Sequence, residues 1–74
     1  MMSKYDILRA ISRREPATLQ SIYNEIERED SDAGSLTDEL VDLVSEGFVE
    51  ERARGQGVLE YVLTESGKKA LEAL

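Results

Sequence analysis

Apolar residues recur along this chain with two different periods, and the switch between them divides it. Tyr5, Ile7, Leu8 and Ile11 form one stripe, Leu19, Ile22, Tyr23 and Ile26 a second, and Leu36, Leu40, Leu43 and Val44 a third. Each has the three- and four-residue spacing of an amphipathic helix. After Gly47 the spacing changes: Phe48 and Val49 lead into a polar run, and Leu59, Tyr61 and Leu63 alternate with Val58, Glu60 and Val62. Period two means a strand with one covered face. Between these strands Ala53-Arg54-Gly55-Gln56-Gly57 reads as a glycine-bearing hairpin tip. Ala70, Leu71 and Leu74 then return to helical spacing. The pattern predicts an α+β fold of three helices, a two-stranded hairpin and a short closing helix, one domain over residues 1–74 organised around residues 40–64.

Local signals punctuate these elements. Ser3-Lys4-Tyr5-Asp6 is a capping box, in which the Ser hydroxyl accepts the Asp6 backbone N–H and the carboxylate reaches back. Pro16 ends the first helix, because the residue before a proline is pushed out of the α region. Thr18 is placed to cap the second helix. That helix is expected to finish near Arg28, before a polar turn at Glu29 to Ser31, since its last residues are carboxylates facing the negative end of the dipole. The third helix has two candidate starts, one near Asp32 and one at the capping box Ser35-Leu36-Thr37-Asp38. The earlier is favoured, although Gly34 inside it costs about 1 kcal/mol against Ala. Gly47 suits the left-handed residue beyond the helix end, and Thr64 caps the closing helix.

Composition narrows the chemistry. A chain of 74 residues buries only about 60% of its unfolded surface, and a core that thin supplies roughly 3–5 kcal/mol. A partner subunit, such as a second copy, is a natural expectation. The absence of Cys and His removes disulfides, thiol nucleophiles and zinc sites of the Cys/His kind. Asp38 and Asp42 lie one turn apart, but no third metal ligand accompanies them. Neither an enzyme nor a cofactor is expected. No apolar run approaches the roughly 20 residues of a membrane span, and the N-terminal residues lack the pattern of a signal peptide; a cytoplasmic protein is the default.

The net charge of −7 runs against the basic footprint usual in nucleic-acid binding. Its distribution matters more: residues 1–16 carry a net +2, residues 31–50 a net −6 and residues 51–57 a net +1. Positive charge therefore survives in the first helix and at the hairpin tip. Arg outnumbers Lys amid many carboxylates, a composition that resembles proteins of salt-loving archaea. Lys4, Arg9, Arg13 and Arg14 lie off the apolar stripe and read first as a solvated face. On the third helix Ser35, Asp38, Asp42 and Ser45 point outward, flanked by Thr37 and Val41, with no Lys or Arg. Arg52 faces either Glu60 across the hairpin or nucleic acid. Arg54, at the tip, has fewer structural roles open to it, and Gly55 and Gly57 are turn residues.

Two segments carry a resemblance. Leu40-x-x-Leu43-x-x-x-Gly47-Phe48-Val49 with Glu51-Arg52, and Tyr61-Val62-Leu63-Thr64-Glu65-x-Gly67-x-x-x-Leu71, preceded by Thr18-Leu19-x-x-Ile22, resemble the winged helix-turn-helix superfamily. The likeness is to its MarR- and PadR-like bacterial and archaeal regulators and covers nearly the whole chain. It implies a third helix that enters the major groove of double-stranded DNA and a wing that touches the neighbouring groove or backbone. Carried over, the DNA-binding candidates are Ser35, Thr37 and Asp38 on the helix, with Arg52, Arg54 and Gln56 on the wing. The chain departs from the family pattern in its third helix, where members commonly carry Arg, Lys, Gln or Asn. Two functions are thus open: a DNA-binding transcriptional regulator acting as a dimer on a palindromic site, and a protein-interaction module whose acidic third helix docks on a basic partner.

Overall fold

The three helical stripes and the covered face of the hairpin converge on one core. The computed structural model describes residues 4–28 and 36–73. Within them lie α1 (Lys4–Arg13), α2 (Leu19–Arg28), α3 (Leu36–Ser45), β1 (Val49–Gly55), β2 (Val58–Leu63) and α4 (Glu65–Glu72). The helix α1 is central, packing against α2, α3, α4 and β2. Ile7, Leu8, Ile11, Ile22, Ile26, Leu43 and Val49 are the largest side chains fully removed from water. The residues expected to cap α1 at Ser3, to form the turn at Glu29 to Ser31, to start α3 near Asp32 or at Ser35, and to end the core at Leu74 lie outside the described set.

Capping chemistry sets several boundaries. Thr18 and Ser21 cap α2 reciprocally: the Ser21 N–H donates to Thr18 Oγ1 at 3.2 Å and the Thr18 N–H to Ser21 Oγ at 3.0 Å. The end of α3 is a Schellman motif, with Gly47 at φ +84°. Its two bonds run from the Phe48 N–H to the Leu43 carbonyl at 3.0 Å and from the Gly47 N–H to the Val44 carbonyl at 3.1 Å, which satisfies carbonyls otherwise orphaned at a helix end. Thr64 joins this turn to α4. Its Oγ1 accepts from the Gly67 N–H at 3.1 Å and donates to the Gly47 carbonyl at 2.6 Å.

Two features of the packing have no signal in the sequence. Ala17 makes an antiparallel bridge to Tyr61, through bonds of 2.9 Å and 2.7 Å between their backbones, so the α1–α2 connection lies against the free edge of β2. The Glu15 carboxylate accepts the Leu63 N–H at 2.6 Å, beside a cis Glu15–Pro16 bond. At the same open end of the hairpin, Gly67 is buried where α4 crosses the Phe48 backbone. A Cβ there would stand 2.1 Å from the Phe48 carbonyl oxygen, so only glycine fits.

The phases of α1, α2 and β2 differ in part from expectation. Leu19 and Tyr23, assigned to the buried stripe of α2, are largely exposed, and Glu25 is buried instead. The cause is that α2 turns only its Ile22–Ile26 line toward α1. Tyr5 is likewise half in water, while Ala10 takes a core position in α1. Leu59 shares a face with Tyr61 but is exposed, since the hairpin runs past the helices that cover Tyr61 and Leu63.

Candidate nucleic-acid interface

The hairpin projects a narrow tip. Strand β1 continues to Gly55, and Gly55 pairs with Val58 after a bulge between Ala53 and Gly55. The turn is therefore the pair Gln56-Gly57 rather than the five-residue tip expected. Gly55, Gln56 and Gly57 have φ of +100°, +56° and +77°. Positive φ at both central residues is the twist-matched hairpin turn, and it carries Gln56 outward at the apex.

Arg52 and Arg54 both lie on β1 before this turn, with side chains 62% and 64% exposed. Each has a carboxylate beside it. Arg52 is the Cα partner of Glu60, yet its Nε donates to Glu50 on its own strand. Glu60 instead faces Arg54, at 3.7 Å. The expected Arg52–Glu60 pair is thus replaced by two neighbouring pairs, because residues two apart on a strand share a face. Exposed pairs of this kind contribute about 0–1 kcal/mol, so an approaching phosphate can displace either carboxylate at little cost.

The side of the hairpin that faces α3 is different. Glu51 and Tyr61 are cross-strand partners, as are Ala53 and Leu59, and no cation lies among them. The Tyr61 hydroxyl donates to Glu51 at 3.0 Å. Burial, then this bond to a carboxylate, pushes the Tyr61 pKa up to about 12. Thr37, Asp38, Val41, Asp42 and Ser45 of α3 are all exposed, and Thr37, Val41 and Ser45 border the space beside Glu51 and Tyr61. Ser35 lies outside the described residues. Thr37 and Asp38 are therefore outward-facing as expected, but they are separated in charge and direction from the wing arginines.

The cations of α1 are occupied at home. Lys4 reaches Glu46 at 2.7 Å, and that bond raises its pKa above the ordinary lysine value. Arg9 lies 3.5 Å from Asp6. Arg13 and Arg14 stand 3.3 Å and 4.0 Å from Glu25. The buried Glu25 thus has cations beside it, and Lys4, Arg9, Arg13 and Arg14 each stand within reach of a carboxylate. Lys68 and Lys69 on α4 are exposed.

Among the described residues, no group of three or more carboxylates, His or Cys could hold a metal ion, and no helix is long and apolar enough to cross a membrane.

No family model matches the chain, and no curated protein matches it. The crystal structure of SSV1 F-93 is similar over 99% of this chain and 82% of that one, with a TM-score of 0.73 at 24% sequence identity. That likeness, together with three helices, an antiparallel hairpin and a closing helix in this order, makes the fold a winged helix.

Proposed function

We propose that this chain is a double-stranded DNA-binding transcriptional regulator of the winged-helix type, similar in kind to the MarR- and PadR-like proteins and acting as a dimer. The observation that carries the reading is the wing: Arg52 and Arg54 stand exposed on β1 just before the Gln56-Gly57 apex. Two arginines per chain give weak binding from a monomer. A two-fold dimer doubles them and suits a palindromic site. In this reading the exposed Thr37 and Asp38 of α3 would meet base edges, Asp38 as an acceptor for cytosine N4.

The test is fluorescence anisotropy of the intact chain with random-sequence duplex DNA over a range of salt. Arg54→Ala should weaken binding and flatten the slope of log K against log salt by about 0.9 for each wing bound. An unchanged affinity and slope would remove the wing from the mechanism. Sedimentation equilibrium with and without duplex should give a dimer; a monomer in both would remove that part of the reading.

A second reading, a module that binds a basic protein, is favoured by one observation. The outer face of α3 and the hairpin face opposite it hold carboxylates and apolar groups and no cation.

A further inference from the structure

Between α3 and the hairpin runs a cleft of about 200 Å³. Leu19, Leu40, Val41, Val44, Glu51 and Tyr61 are among the residues that line it. Two of these are more exposed than aliphatic side chains usually are: Val41 at 58% and Leu19 at 43%. They come from different helices, α3 and α2, and meet on one concavity. Leu59 extends the same apolar surface along β2.

We propose that this cleft seats a basic segment of a partner protein, one bulky aliphatic side chain flanked by Arg or Lys. The proposal deepens the second reading above and rests on it. The floor is apolar, so the anchor is aliphatic. The charge at its edge is acidic: Glu51 lines the hairpin side, and Asp38, next to the lining Thr37 on α3, is exposed. Neither α3 nor the facing side of the hairpin carries a cation. Thr37 and Ser45, which also line the cleft, supply hydroxyls for the backbone of the seated segment.

The charge pattern decides between occupants. A second copy of this chain brings a net −7 toward a carboxylate rim, and like charges oppose the approach. A duplex strand seated in the cleft itself would set its phosphates against Glu51. A cationic segment gains from every one of these groups. The wing arginines point to the opposite side of the hairpin, so they leave the cleft open while they contact DNA.

The experiment is an amide-shift titration of the intact chain at moderate salt with three probes. The first is a 12-residue Lys/Arg peptide carrying one central Leu. The second is the same peptide with Ser in place of Leu, and the third is a random-sequence duplex. The Leu peptide should shift Leu19, Leu40, Val41 and Tyr61. The Ser peptide should bind roughly tenfold more weakly, the order expected for one buried aliphatic side chain. Asp38→Lys combined with Glu51→Gln should abolish binding of the Leu peptide; both positions are exposed and Gln keeps an acceptor for the Tyr61 hydroxyl, so the fold should remain intact. Equal binding of the two peptides would overturn the proposal, as would shifts confined to the wing or cleft shifts produced by the duplex. The two readings fail separately. A duplex that moves Arg54 while the Leu peptide moves nothing removes this proposal and keeps the DNA reading; the reverse result keeps this proposal and removes the DNA reading.

Discussion

Thr64 makes the sharpest test of how the hairpin is held to the helices. Its hydroxyl caps α4 through the Gly67 N–H at 3.1 Å and ties that cap to the end of α3 through the Gly47 carbonyl at 2.6 Å. Thr64→Val keeps the shape of the side chain and removes both bonds. Loss of an N-cap costs about 0.5–2 kcal/mol. The second bond adds about 0.5–1 kcal/mol, at the low end because the Gly47 carbonyl is exposed and can turn to water. Together the loss is roughly 1–3 kcal/mol, a large share of the roughly 3–5 kcal/mol available to a core of this size. At about 4–8 °C per kcal/mol for a domain of this length, Tm should fall by roughly 4–24 °C in a calorimetric or circular-dichroism melt. Thr64→Ser keeps a hydroxyl that can make both bonds and should remain close to the parent chain. A Val variant that melts within about 2 °C of the parent, or a Ser variant as damaged as the Val variant, would refute the reasoning.

Further outcomes follow from the same structure. Gly67→Ala gains about 1 kcal/mol of helix propensity, but it drives a methyl into the Phe48 carbonyl, which also accepts the Thr64 N–H at 3.1 Å; overpacking of about 1–3 kcal/mol should leave a net loss in urea denaturation. Leu43→Ala should cost about 2–5 kcal/mol, whereas Val41→Ala should stay within about 0.5 kcal/mol; similar midpoints for the two would show the phase of α3 to be wrong. With its pKa raised to about 12 in the folded chain and an ordinary value near 10 when unfolded, Tyr61 keeps its proton longer when folded. The unfolded state therefore binds fewer protons between about pH 10 and 12, and stability falls as pH rises through that window. The Tyr61 contribution is fully present below about pH 10. Tyr61→Phe should flatten this part of the stability–pH profile, and an unaltered slope would exclude Tyr61 as its source.

The sequence by itself determined the elements and their order. The period change after Gly47 places the helix-to-hairpin boundary, and Thr18, Gly47 and Thr64 mark caps whose hydrogen bonds are local in the chain. Such signals are legible because a helix terminus is satisfied by residues three to five positions away. The inward line of α3, Leu36, Leu40 and Leu43, was legible for the same reason: adjacent turns fix which side chains share a face.

Tertiary structure decided what each face meets. The sequence places Leu19 and Tyr23 on an apolar stripe, but the angle at which α2 lies on α1 leaves them in water and buries Glu25 near Arg13 and Arg14. Gly67 reads as an ordinary helical glycine until α4 is seen against the Phe48 carbonyl. The sequence offers Glu60 to Arg52, and the register does set their Cα atoms opposite each other, but the folded side chains bring Glu60 to Arg54. The cleft beside Val41 has no local signature, because its walls come from three segments far apart in the chain. Burial, register and charge pairing between such segments depend on how whole elements pack, and only the folded chain fixes them.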